Sequence, residues 1–319
     1  MPAAMSAVLT HPAFAPKPTL ADFAKTWQQQ AGLDWRSSTK AHIASILDVH
    51  LLPVLAMHPL DGFGRADAMT LRYALSTTPT ASGVMRCAST VNRIMHVLGQ
   101  LLTERELQLG VPNPLRGLKP LKARSDAVAP FTLPELRQLV DHAPPHLAEY
   151  VWVRGLTGLR SGEANGLRWS SVDLEQGTLE VRESRAHGLQ GLPKNEYSER
   201  LLALTPTALA ALQRQHARTG TGEFVFVTRR GLPLDTRNFA SRDWKRLLKA
   251  AGLDQRPPEQ LRHTAATLML ASGEAPTYVA RVLGHSDLRM LLTTYARWMP
   301  RTVGRRDGAA LEAILGCVQ

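Results

Sequence analysis

The stretch "TGLRSGE", residues 157–163, sets Arg160 in a segment that otherwise reads as apolar and buried. A buried guanidinium needs an anionic partner, because an unpaired charge loses its hydration with nothing in return. Glu163, three residues on, supplies one. A phosphate is the second anion to consider, since a guanidinium forks onto phosphate oxygens as it does onto a carboxylate. The charge of the whole chain favours that option. Its 319 residues carry a net charge of +11, an excess that points to a polyanionic partner, most often nucleic acid. Residues 1–122 hold 12 Lys+Arg against 7 Asp+Glu, and residues 123–319 hold 26 against 20. Both halves can therefore touch one polyanion.

The elements that must position these groups follow from the hydrophobic period. The length favours two domains. After a loose tail, 1–18, a helix over 19–31 begins at a Thr cap and carries Leu20, Phe23, Ala24 and Trp27 on one face. A second helix places Ile43, Ile46, Leu47 and Leu51 inward and is expected to stop at Pro53. A third covers 68–76. The longest periodic stretch, 84–110, ends at Gly110 and Pro112. Residues 19–112 thus read as an all-helical domain. Residues 113–130, rich in Pro, Lys and Arg, read as an interdomain linker.

At Thr132 the pattern restarts with a T-x-x-E capping box. The domain over 131–319 mixes an apolar helix, "YVWVRGLTG", with strand candidates at 177–181, 200–204 and 223–228. Further helical segments end at "DLRMLLTTYARW". The fold class is mostly α with a small antiparallel β-sheet, an all-helical domain joined to a mixed α+β domain.

Several classes of function lose support. Cys87 and Cys317 show no metal or disulfide spacing and suit a reducing cytoplasm. No apolar run approaches the ~18 residues of a membrane span, and the N-terminus does not read as a signal peptide. There is no GKS/T phosphate loop and no carboxylate cluster for a metal pair. No cofactor and no metal are expected.

Five stretches, taken in order, resemble the tyrosine recombinases, the phage-integrase family of site-specific recombinases. They are "TGLRSGE" with Arg160, "LPKNEYSERLLAL" with Lys194, "LRHTAATLML" with Arg262, "VLGHSD" with His285 and "TTYARW" with Tyr295. The resemblance covers residues 131–300, and the helical domain is similar to the family's core-binding domain. It implies a DNA clamp that forms a homo-tetramer on double-stranded DNA, with the C-terminal "DGAALEAILGCVQ" docking on a neighbouring protomer or packing in cis. It also implies Tyr295 as nucleophile, Arg160 and Arg262 on the scissile phosphate, His285 as a further hydrogen-bond donor, and Lys194 as acid for the leaving 5′-hydroxyl. Glu163 and His263 would support these groups. Lys40, Arg93, Lys119, Lys122, Arg242 and Lys245 are candidate contacts to the DNA backbone.

The residue types fit that chemistry. Metal-free cleavage of a phosphodiester needs a nucleophile, an acid for the leaving group and fixed positive charge. A tyrosyl phosphodiester also retains the bond energy for rejoining.

Two departures from the family pattern stand out. Glu259 occupies the place where the family usually has a histidine, three residues before the second arginine. It is either tolerated there, turned toward an arginine, or used as a base for Tyr295. His285 and Tyr295 are ten residues apart, where nine is commoner; on one continuous helix the extra residue turns the tyrosine by about 100°. A kink or loop within "RMLLTTY" would restore its aim, and Tyr278 reads as a packed helix position. The alternatives are a recombinase fold that binds DNA without cleaving it, or a DNA-relaxing enzyme like the type IB topoisomerases.

Overall fold

The structure is a computed structural model that describes residues 19–56, 58–123, 128–186, 189–191, 199–299 and 315. The chain divides into two compact units, which meet in sequence between Asp126 and Ala127.

In the first unit, helix α1 (Leu20–Ala31) starts at Thr19, which forms a capping box with Asp22. Its buried face is Leu20, Phe23, Ala24 and Trp27. Helix α2 (Ser37–Ile46) runs into a wide turn at Leu47–Leu51 and then a further helical turn, Leu52–Leu55. Pro53 therefore does not stop the helix. The wide turn restarts the hydrogen-bond ladder, and Pro53 falls in the first turn of the new segment, where its missing N–H costs nothing. Helix α3 (Arg65–Thr77) begins where the Asp67 carboxylate accepts from Gly64 N–H. Helix α4 (Ala88–Leu109) ends at Gly110, which is left-handed with φ 69°. The four helices share one apolar core.

Residues 113–123 lie against that core rather than forming a free linker. Leu115, Leu118 and Leu121 pack on it. The Asn92 amide also holds both the N–H and the carbonyl of Leu121, each at 2.8 Å. The segment turns at 113–118, and Arg65 and Arg72 donate to its carbonyls at Pro114, Arg116 and Lys119, so side chains satisfy much of its backbone.

In the second unit, helix α5 (Leu133–His142) opens with the expected Thr132–Glu135 capping box. Helix α6 (Pro145–Thr157) runs through the core, and the short α7 (Ser161–Gly166) follows it. Strands β1 (Val172–Asp173), β2 (Thr178–Val181) and β5 (Arg200–Ala203) form an antiparallel sheet in the order β1-β2-β5. Strands β3 (Ser184–Ala186) and β4 (Leu189–Gly191) form a separate antiparallel pair. Helices α8 (Pro206–Thr219), α9 (Trp244–Ala250), α10 (Gln260–Ala271), α11 (Pro276–Leu283) and α12 (Leu288–Tyr295) complete the unit.

The run at 223–228 is not a strand of the sheet. Val225 and Phe226 are fully buried, but only isolated bridges pair this segment, at Phe224 and Val227. Backbone bonds from Val225 N–H to Leu167 O and from Trp169 N–H to Glu223 O tie it to the 167–169 segment, and Gln215 and Thr219 from α8 satisfy the Val225 carbonyl. The architecture is mostly α with a small antiparallel sheet. Among the described residues no helix is long and apolar enough to cross a membrane.

Candidate active site

Two left-handed glycines build the site. Gly158, φ 69°, ends α6 and turns the chain so that Arg160 stands at the start of α7. Gly284, φ 64°, ends α11 immediately before His285. A residue with a side chain resists this conformation, which explains a glycine at each helix end. At Gly158 a Cβ would also come within 2.5 Å of Leu283 Cδ2. The close approach of the two turns is thus built into both glycine-containing motifs.

Glu163 organises the first arginine. Its carboxylate accepts from Arg160 N–H at 2.9 Å and from Arg160 Nη1 at 2.6 Å. It also accepts from both terminal nitrogens of Arg200, on β5, at 3.2 and 2.9 Å. Burial alone would push the Glu163 carboxyl up. The hydrogen bond and charge of Arg200, then the charge and backbone N–H of Arg160, outweigh burial and hold it at about 2.

Three consecutive carbonyls at the C-terminus of α11 hold three arginines. Val282 O accepts from Arg200 Nε at 2.6 Å, Leu283 O from Arg262 Nη2 at 2.5 Å, and Gly284 O from Arg160 Nη2 at 3.1 Å. These carbonyls have no partner within the helix and carry the negative end of its dipole, so guanidinium groups are natural caps. Arg262 Nη1 also donates to Gly158 O at 2.8 Å, tying α10 to the α6–α7 turn.

The cluster is electropositive. Burial, then the neighbouring Arg160, hold the Arg262 guanidinium down to about 9, with Glu163 opposing and Arg200 adding to the shift. Burial, followed by the charges of Arg262, Arg160 and Arg200, pushes His285 down to about 4, so its ring is neutral at pH 7. Among the described residues, no protein group bonds the buried Nδ1 of His285. Mutual repulsion of this kind is relieved by an anion.

Tyr295 is 2% exposed, at the last residue of α12, in a cluster with Ala266, Leu270, Val279, Leu283 and Leu291. Burial raises its phenol to about 12, against the pull of Arg262. Its hydroxyl lies 2.6 Å from Nδ1 of His263. The ten residues from His285 to Tyr295 do not lie on one helix, and "RMLLTTY" contains neither the kink nor the loop expected there. His285 precedes α12, the Asp287 carboxylate caps Arg289 N–H, and the helix from Leu288 is continuous. Tyr278 is half-buried on α11 beneath the Arg281 guanidinium, as a packed position.

Glu259 stands at the start of α10, and its Oε1 accepts from Ser161 Oγ at 2.9 Å. Ser161 in turn accepts from Arg154 Nη2 at 3.0 Å. Arg154 is fully buried on α6 and also bonds Leu159 O and the Tyr150 hydroxyl. Glu259 therefore meets a hydroxyl that carries it to a buried cation.

Sequence reasoning placed Arg160, Glu163, Arg262, His263, His285 and Tyr295, and the fold brings all six together. It missed Arg200, Ser161 and Arg154. Arg200 lies within the quoted "LPKNEYSERLLAL", where the resemblance singles out only Lys194; Lys194 itself lies outside the described residues. The C-terminal segment expected to dock on a neighbour also lies outside them, save Leu315. Lys40, Arg93, Lys119 and Lys122 in the first unit are exposed, as are Arg242 and Lys245 in the second. Arg93 and Lys119 line an open groove of about 1020 Å³ that also includes Trp27, Trp35 and Arg72.

The family profile described as "Phage integrase family" matches residues 131–300, and the chain belongs to the phage integrase family. It is 29% identical over 248 residues to IntQ of Escherichia coli K12, a protein named as defective; the match covers 67% of this chain and 61% of the relative. It is 27% identical over 212 residues to the prophage integrase IntR of the same strain, covering 58% and 51%. The chain spans between about half and three fifths of the length of the first curated relatives it matches. Its fold is similar to that of the Tn1549 transposon integrase, solved with a circular intermediate DNA. The TM-score is 0.75 at 18% identity, and the match covers 93% of this chain and 99% of that one.

Proposed function

We propose that this chain is a site-specific DNA recombinase that breaks and rejoins duplex DNA through a 3′-phosphotyrosyl link on Tyr295. The observation that carries the reading is the convergence of Arg160 and Arg262 on the end of α11, beside neutral His285 and the buried Tyr295 hydroxyl. A phosphodiester is the anion that suits this surplus charge. The arginines donate to its non-bridging oxygens and stabilise the charge gathering there during attack. His285 adds a hydrogen bond to the same phosphate. Tyr295 attacks phosphorus, and the 5′-oxygen leaves with a proton from Lys194, the acid that the family resemblance assigns. The reverse reaction rejoins the strand without ATP or metal. The family and the DNA-bound structure of similar fold support double-stranded DNA as substrate; a homo-tetramer on DNA as the exchanging species and the cytoplasm as its place of action complete the reading, the first implied by the family resemblance of the sequence and the second by its cysteine usage.

The test is covalent trapping. A pool of nicked duplexes with a randomised core loses its short 5′-hydroxyl product after cleavage and so traps the intermediate. The wild type should form an SDS-resistant adduct, and Tyr295→Phe should form none while binding the captured duplex within a few-fold of wild type. An adduct that persists in Tyr295→Phe contradicts the reading.

A further inference from the structure

The phenol of Tyr295 must lose its proton to attack, and burial makes that loss harder by raising it to about 12. The group in contact with the phenol is His263. Its Nδ1 lies 2.6 Å from the Tyr295 oxygen, and the ring centroids are 5.6 Å apart at a tilt of 50°. This distance is within reach for direct proton transfer. Glu259, the carboxylate at the family's histidine position, is engaged elsewhere. It accepts from Ser161, which accepts from the buried Arg154.

We propose that His263 is the general base that takes the Tyr295 proton during strand cleavage and returns it during rejoining. The proposal rests on the reading of Tyr295 as nucleophile. In the resting pair the phenol donates to Nδ1, which assigns the ring proton to Nε2. As attack proceeds, the Tyr295 O–H bond breaks and its proton passes to Nδ1. The Tyr295 O–P bond forms while the bond from phosphorus to the 5′-oxygen breaks, and that oxygen takes a proton from the leaving-group acid. His263 is then an imidazolium, and rejoining reverses each transfer. No electrons change hands beyond these bonds.

The surroundings suit the role. The groups that face or act on His263 are Arg262 and Glu259 at the start of its own helix, Tyr295 on α12 and His285 after α11. Burial, then Arg262, hold the His263 ring below its ordinary value, with Glu259 opposing. Both effects favour the neutral ring, whose Nδ1 can accept a proton. Arg262 thus has two effects. It draws the phenol toward ionisation, and it keeps the adjacent imidazole unprotonated until the phosphate arrives.

The experiment measures single-turnover adduct formation on the nicked-duplex pool. The wild type, His263→Asn and Glu259→Gln are compared, each with tyrosine or 2,3,5-trifluorotyrosine at position 295. The fluorinated phenol is more acidic and has less need of a base. His263→Asn should slow adduct formation by about 10²-fold, the low end for general base catalysis, with duplex affinity within a few-fold of wild type. Fluorination should restore most of that loss. His263→Gln, whose amide reaches the phenol without taking its proton, replaces the Asn variant if the latter does not fold.

A rate in His263→Asn within a few-fold of wild type overturns the proposal. So does a loss that fluorination leaves unrepaired, because that loss marks positioning alone. A deficit in Glu259→Gln that equals the His263→Asn deficit and is repaired by fluorination moves the base to Glu259. A wild type that forms no adduct overturns the recombinase reading itself, and the base with it.

Discussion

Glu163 is 3% exposed and yet stays ionised, because four donors from Arg160 and Arg200 converge on its two oxygens. Removing its charge would leave the Arg160 and Arg200 guanidinium groups without the carboxylate between them. Glu163→Gln should therefore destabilise the second unit by on the order of 3 kcal/mol, the usual scale for breaking a buried pair. The sign with pH follows from a carboxyl depressed from 4.5 to about 2. Its contribution is complete above the unfolded value and is lost as pH falls through the folded one. Denaturant titrations of wild type and variant should thus differ at pH 7 and converge as pH drops from about 4.5 toward 2. A difference that persists unchanged to pH 2 contradicts the account. Part of this arrangement was legible in the sequence, since Glu163 stands three residues from Arg160. Arg200 was not, because nothing in the local pattern links β5 to a turn 37 residues earlier. The same holds for Ser161 and Arg154, whose importance lies in what they bond across the fold.

The end of α11 presents successive carbonyls to three arginines, and Gly158 lets the α6–α7 turn approach it. An alanine at Gly158 would have to adopt a left-handed conformation, which costs roughly 1–2 kcal/mol, and would press on Leu283. Both carbonyls that hold Arg262 belong to these two residues. Gly158→Ala should therefore lower the melting temperature and reduce strand cleavage more than duplex affinity. Unchanged cleavage in a destabilised variant would show that the turn does not aim Arg262. At this scale the sequence was a good guide where one face of a helix meets one core, as in α1 and α4. It failed at Pro53, where a wide turn restarts the helix. It failed again at 223–228, where strand-like residues are buried but pair only through isolated bridges, and side chains from α8 meet the Val225 carbonyl. Period and composition report burial, and they do not report which groups satisfy the backbone.

Each compact unit has its own apolar core, and positive charge is shared between the two. If both units bind the same duplex, several phosphates are neutralised together. Each contact contributes about −0.9 to the slope of log K against log salt. The intact chain should give a slope steeper than about −4, and residues 127–319 alone a shallower one. Alanine at both Arg93 and Lys119 should make the intact slope shallower by roughly 1–2. Equal slopes for the fragment and the whole chain would remove the helical unit from the DNA interface. The central claim, however, concerns one covalent bond. Mass spectrometry of the peptides from the trapped adduct tests it most directly. The account predicts a nucleotide joined through its 3′-phosphate to the peptide that contains Tyr295, together with release of a free 5′-hydroxyl strand. A nucleotide carried on Tyr278 or any other residue, or joined through a 5′-phosphate, would contradict it.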